Sequence, residues 1–171
     1  MIPPLPDILE GDLDIVFVGI NPGTYSAEMG HYYAQPANRF WSMLHQSCLL
    51  PRFLDPLDDW KLPRFRLGLT DLVKRVTSGS SELKLEELKN GGLLLQQKIK
   101  FYRPRIVCFN GLLVYRTLFH KNGGPGLKGE KMGSAQIYVI PSTSPRNAQY
   151  TNKMLLDWFR NLNQVTNKVT S

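Results

Sequence analysis

A chain of 171 residues with 42% hydrophobic and 11% aromatic side chains is long enough for one domain with a sizeable core and too apolar for disorder. Its 21 Lys and Arg against 14 Asp and Glu leave a formal charge of +7, which suits a phosphate-bearing partner and equally suits plain solubility. Two cysteines exclude a four-thiolate cluster, and the scattered His31, His45 and His120 offer no metal-ligand spacing, so neither metal nor cofactor is expected and Cys48 and Cys108 are read as buried thiols. No apolar run approaches the roughly 20 residues of a membrane span, and the opening MIPPLPDILEGD lacks a basic stretch followed by an apolar one. A soluble, intracellular protein with no membrane partner is the expectation.

In chain order, Leu13–Gly23 reads LDIVFVGINPG. Ile15–Val18 is an uninterrupted apolar run with β-branched and aromatic members, the pattern of a strand buried on both faces. It breaks at Gly19-Ile20-Asn21-Pro22-Gly23. Pro22 biases Asn21 toward extended backbone, and Gly23 permits a positive φ or a close backbone approach. One carboxamide thereby stands at the end of a stiff strand, where α/β folds keep their ligand crevices; capping its own turn is the alternative use of that side chain. Thr24–Tyr33 reads as a polar-aromatic loop. Phe40, Trp41, Leu44 and Cys48 mark the buried side of a helix over Arg39–Cys48. Leu49–Phe65 carries Pro51, Pro56 and Pro63, which predicts a connection with one helical turn at most.

Arg66–Val73 predicts a second strand. Leu85, Leu88, Gly92, Leu95 and Ile99 recur at helical spacing, so an amphipathic helix ends before Pro104, with Gly91-Gly92 implying a kink or close packing. Lys98 and Lys100 fall on its wet face. Arg105–Phe109 is a third strand, Leu112–His120 a short helix, Lys121–Gly133 a Gly/Lys loop and Gln136–Ile140 a fourth strand. Thr151 reads as the N-cap of a last helix with Leu155, Trp158, Phe159 and Leu162 inward, and the polar tail, from about Asn163–Gln164 to Ser171, as frayed. Strands alternating with helices predict a single domain over residues 1–171: a three-layer α/β/α fold with a central, largely parallel sheet of four to five strands. In such a sheet Asn21-Pro22-Gly23, Thr70–Thr77, Asn110-Gly111 and Ser142–Arg146 open on one edge.

Pro141–Tyr150 reads PSTSPRNAQY. Small hydroxylated residues between two prolines make a stiff loop able to lie along a phosphate backbone, with Arg146 adding a cation at its tip. Ser/Pro loops alone are common; joined to GINPG at the other end of the chain, this one becomes specific.

With LPDI at Leu5–Ile8, GHYY at Gly30–Tyr33, NRFW at Asn38–Trp41 and YRPRIVCFNG at Tyr102–Gly111, these stretches resemble the uracil-DNA glycosylase superfamily over nearly the whole chain. The similarity is strongest to its mismatch-specific branch, and within that to the catalytic core of thymine-DNA glycosylase. The resemblance implies that Asn21 positions the attacking water and that Thr77 helps hold it. It implies that Tyr33 stacks on an extruded base beside the Gly19, Ile20 and Asn21 backbone, with Asn38 in the pocket. Ser142 and Ser144 would grip phosphates, and Arg146, next to Pro145, would wedge into the duplex with Gln149 nearby. Lys128, with Lys121 and Lys131, would either touch phosphates or stay solvated. The implied partner is double-stranded DNA holding a G·U or G·T mismatch or a damaged pyrimidine, met by a monomer.

Because Asn21 stands where other branches carry aspartate, slow chemistry that depends on the leaving-group quality of the base is implied; no lysine nucleophile is implied, so the enzyme is expected to be monofunctional. Two departures bear on specificity. Ser26 replaces an alanine near the C5 edge of the base, so its hydroxyl should crowd a thymine methyl. Asp71 replaces asparagine or lysine; it could accept from the base N3–H, yet would repel an anionic leaving group if charged. A module that binds mismatches or abasic sites with little turnover is the alternative to an enzyme; a hydrolase of free nucleotides is disfavoured by the Arg146 loop and by the lack of a Gly-rich phosphate motif. The resemblance leans toward a eukaryotic nucleus, otherwise a cytoplasm or nucleoid, although no localisation signal is visible.

Overall fold

The computed structural model describes residues 1–171. Five strands, β1 (Ile15–Gly19), β2 (Leu67–Asp71), β3 (Ile106–Asn110), β4 (Gly126–Met132) and β5 (Ala135–Ile140), form one sheet in the order β2-β1-β3-β5-β4. The first four in that order run parallel, and β4 closes the edge antiparallel to β5. The helices are α1 (Thr24–Met29), α2 (Phe40–Gln46), α3 (Leu85–Tyr102), α4 (Leu112–Phe119) and α5 (Asn152–Thr170). None of them is long and apolar enough to cross a membrane.

Strand periodicity splits the core in two. Ile15 and Phe17 of β1, with Leu67, Leu69, Ile106, Cys108, Tyr138 and Ile140, face a layer built from α2 and α5. Val16 and Val18, with Val107, Phe109, Ile137 and Val139, face α3 and α4. This explains the unbroken apolar runs read from the sequence: both faces of every parallel strand are covered. Gly91 and Gly92 allow α3 to press onto its neighbours without a kink. A Cβ on Gly91 would lie 2.3 Å from the Leu72 carbonyl oxygen, and one on Gly92 would lie 2.5 Å from Leu118.

Several expectations are corrected. The Thr24–Tyr33 stretch contains α1, a six-residue helix that buries only Ala27 and so carries no periodic signal. Leu49–Phe65 holds two 3₁₀ pieces within Pro56–Phe65, joined by a kink at Asp58 and started by Asp55, whose carboxylate accepts from the Leu57 N–H at 2.9 Å. The Gly/Lys loop contains β4, an edge strand whose pairing depends on backbone rather than apolar content. The tail is no frayed end: α5 runs to Thr170, Asn163 donates to the Ser47 carbonyl at 2.9 Å, and Thr166 is buried. Cys48 is exposed; only Cys108 is buried. Lys98, expected on the wet face, pairs with Asp7 at 2.7 Å. Thr151 does cap α5, accepting from the Met154 N–H at 3.2 Å.

Strand order reverses at β1: the chain leaves it toward β2 on one side and returns to β3 on the other. The carboxyl ends of β1 and β3 are therefore the switch point at which an open α/β sheet forms its crevice.

Candidate active site

A cleft of about 770 Å³ lies at that point. Gly19, Ile20, Asn21, Ser26, Tyr33, Asn38, Asp71, Thr77, Ser142, Ser144, Pro145, Arg146 and Gln149 all line it. Lys121 and Lys131 do not, and neither does Lys128. It lies on β4, with its ammonium against the Gly124 carbonyl and 5.0 Å from the centre of the Tyr115 ring.

Asn21 follows the last residue of β1 by two positions and is half-buried. Its Nδ2 donates to the Arg75 carbonyl at 2.9 Å and to Thr77 Oγ1 at 2.7 Å. A carbonyl oxygen only accepts, so the group facing Arg75 must be the NH₂, and the orientation of the amide is set. Oδ1 is left with no protein donor, free to accept from a water. Thr77 spends its own proton on the Gly79 carbonyl at 2.9 Å; its first contact is thus with the amide that would steer a water, not with the water itself. The two loops are tied further by the Thr77 N–H, which donates to the Pro22 carbonyl at 3.2 Å. Arg75 is itself locked, its guanidinium on Glu87 at 2.7 and 2.9 Å. That pairing holds the Glu87 carboxyl down at about 2. Gly23 needs neither freedom expected of it. Its φ is −75°, and a Cβ there would meet nothing in the protein, which leaves bare backbone on the cleft wall.

Tyr33 adopts φ +51°, a backbone region that bulky residues rarely enter. The reason is visible on either side. The Tyr32 N–H donates to Asp59 at 2.9 Å, and Trp41 Nε1 donates to the Tyr32 carbonyl at 3.0 Å. The Ala34 N–H donates to Ser26 Oγ at 3.1 Å. The Tyr33 ring packs on Phe40 with centroids 4.2 Å apart and 34° between planes. Burial, then the neighbouring Asp71 charge, pushes its phenol well above the usual range. Asn38, on the cleft wall, accepts through Oδ1 from the N–H of Phe40, the first residue of α2, at 2.9 Å.

The Ser/Pro loop is built from nested turns. Ser142 Oγ accepts from the Ser144 N–H and Ser144 Oγ from the Arg146 N–H, each at 3.2 Å. Both hydroxyls use a lone pair on the loop and keep a proton to donate outward. Arg146 Nη1 reaches across the cleft mouth, 3.2 Å from where a Gly79 Cβ would stand.

Three residues hold this loop: Arg39, which the sequence reading missed, and Asn110 and Thr143, which it placed on the sheet edge without that role. Arg39 donates to the carbonyls of Tyr150 at 2.7 Å, Asn147 at 3.2 Å and Ser144 at 3.4 Å, although no carboxylate is paired with it. Asn110 and Thr143 clasp reciprocally: Asn110 Nδ2 donates to Thr143 Oγ1 at 2.9 Å, and the Thr143 N–H donates to Asn110 Oδ1 at 3.0 Å. Asn110, the last residue of β3, was a readable signal, since Asn21 stands just past the end of β1; Arg39 had none beyond its place in NRFW.

A neutral amide with one lone-pair face free, a half-buried ring beside it, and hydroxyl donors and a cation on the opposite lip make a site for a planar group attached to a phosphate-bearing chain. The protein matches the model of the uracil DNA glycosylase superfamily over residues 6–166. The fold also superposes on a solution NMR structure from Methanosarcina acetivorans, provisionally described as a uracil DNA glycosylase, with a TM-score of 0.67 and 21% identity over 99% of both chains. The class defined is that of DNA N-glycosylases. The chain belongs to the uracil DNA glycosylase superfamily.

Proposed function

We propose that the protein is a mismatch-specific, monofunctional DNA glycosylase that everts uracil from opposite guanine and hydrolyses its N-glycosidic bond, leaving an abasic site. The observation that carries this reading is the fixed amide of Asn21, whose two protons are committed to Arg75 and Thr77 and whose oxygen is free. Eversion costs about a few kcal/mol, less at a mismatch. Stacking on Tyr33, about 1–3 kcal/mol, and occupation of the vacated space by Arg146 offset it. The Ser142 and Ser144 hydroxyls donate to the flanking phosphates.

As the bond from C1′ to the base breaks, its electron pair goes to the base and the sugar becomes oxocarbenium-like. Asn21 Oδ1 accepts from a water and aims its oxygen at C1′. The water oxygen bonds to C1′ and its proton leaves to solvent, while the departing base takes up one proton. An amide is too weak a base to draw that proton off, so the rate depends on how well the base leaves. No lysine lines the cleft, which supports hydrolysis over attack by an amine.

Ser26, half-buried in the cleft with Oγ already accepting from Ala34, supports a preference for uracil over the bulkier thymine. Single-turnover excision on duplexes differing only in G·U against G·T tests this: faster uracil release is expected, and faster thymine release overturns the preference. Multiple-turnover assays on the G·U duplex separate an enzyme from a binding module. A cleavage burst supports the enzyme, and binding without cleavage overturns it.

A further inference from the structure

The carboxyl of Asp71 ends β2 opposite Gly19, the last residue of β1. Asp71 is 5% exposed and lines the cleft. Its Oδ1 is 2.7 Å, and the Tyr33 hydroxyl 3.1 Å, from the point where a Gly19 Cβ would stand. A side chain at 19 would crowd both the carboxyl and the phenol. Asp71 Oδ2 and Tyr33 Oη are both buried without a hydrogen-bond partner in the protein. Buried polar atoms are rarely left so, and two at one spot on a cleft floor point to a ligand that supplies the partner.

We infer that Asp71 meets the everted base as a neutral carboxylic acid, accepting from the base N3–H and donating its own proton to the adjacent carbonyl oxygen. The inference rests on the glycosylase reading above, which already sets Asp71 at the base edge, and adds the protonation state in which it acts there. A neutral acid offers one donor and one acceptor side by side, the complement of a lactam. A carboxylate offers acceptors only, and would face the base carbonyl, and the negative charge that grows there as the base leaves, with charge of the same sign. The acid keeps its proton throughout: the hydrogen bond strengthens as the base becomes anionic, which lowers the barrier more than it stabilises the bound substrate.

The surroundings agree. Burial pushes the Asp71 carboxyl up to about 7; Lys74 and Lys98 oppose this and Asp7 reinforces it. The two ammonium groups are turned to Asp7, which both of them contact. Lys74 also donates to the Leu5 carbonyl at 3.1 Å and to the Tyr32 hydroxyl at 3.2 Å. The other titratable neighbours are Tyr33 and Tyr32, both neutral phenols with raised values.

The test is single-turnover uracil excision from a G·U duplex between pH 5.5 and 9.5 by the wild type and Asp71→Asn, with the Asp71 carboxyl carbon followed by NMR in the free protein. The inference expects a wild-type rate that falls tenfold per pH unit above about 7, no such fall in Asp71→Asn, and a carboxyl titrating near 7. A wild-type rate that rises through pH 7, or one profile shared by both proteins, overturns it. So does a carboxyl that titrates below about 5 in a protein that excises uracil normally. A protein that releases no base at any pH, its carboxyl still titrating near 7, overturns the glycosylase reading and the role given to Asp71 with it.

Discussion

Asn21 Nδ2 and Thr77 Oγ1, from residues 56 positions apart, stand 2.7 Å from each other, and the Thr77 proton passes on to the Gly79 carbonyl. The amide is held by a relay of two hydrogen bonds and cannot turn without breaking it. Thr77→Val keeps the shape and removes the relay. Losing about 1–1.5 kcal/mol of orientation should slow single-turnover excision roughly five- to tenfold with duplex affinity unchanged, and Thr77→Ser should restore most of it.

Asn21→Ala removes the water-facing oxygen altogether. Excision should fall by about 10²–10³-fold, while anisotropy titrations with a mismatched duplex give wild-type affinity. Asn21→Asp is instructive for a different reason. It sets an oxygen against the Arg75 carbonyl, now 2.9 Å from the amide nitrogen, so a lower melting temperature than that of Asn21→Ala is expected.

Asp71 also makes stability depend on pH. Its carboxyl titrates near 7 in the folded chain against an ordinary 3.8, so the folded state holds a proton that the unfolded state has released. The stabilisation is fully present below about pH 4 and is lost as pH rises through about 7, a swing on the order of 4 kcal/mol at most. Asp71→Asn lacks it. The melting temperature of the variant relative to wild type should climb between pH 4 and 8, and a constant difference across that range would refute the assignment.

Arg39 grips three carbonyls of the Ser/Pro loop with a planar fork that lysine cannot reproduce. Both Arg39→Ala and Arg39→Lys should weaken duplex binding and speed amide exchange across residues 144–150. At saturating enzyme they should leave the excision rate within a few-fold of wild type.

Much of this was legible because of how the core is made. Each parallel strand is covered on both faces, so β1, β2, β3 and β5 appear as apolar runs, and the residues that end them fall on one edge by topology alone. What stayed hidden lacked that imprint. The helix α1 buries a single alanine, and β4 pairs through its backbone while Lys128 and Glu130 occupy its inward positions, half-buried against Tyr115. The polar end of α5 is pinned by the bond from Asn163 to the Ser47 carbonyl and by burial of Thr166, a polar pair that leaves no hydrophobic trace. Within the cleft, GINPG marked Asn21. Neither the bond from Asn21 to Thr77 nor the approach of Asp71 and Tyr33 to Gly19 leaves a pattern along the chain, since each arises where separate segments converge.

Asp7 takes up a raised desolvation cost, yet the hydrogen bonds from Lys74, Lys98 and Thr70 hold its carboxyl below the ordinary value. It acts as a decoy for two ammonium groups that would otherwise lean on Asp71. An N-terminal fusion or trimming that lifts Leu5–Ile8 away would release both cations toward the cleft floor and strip Asp71 of its proton at neutral pH. Tag placement on this protein is therefore a chemical choice, made at a stretch of chain that does not line the cleft.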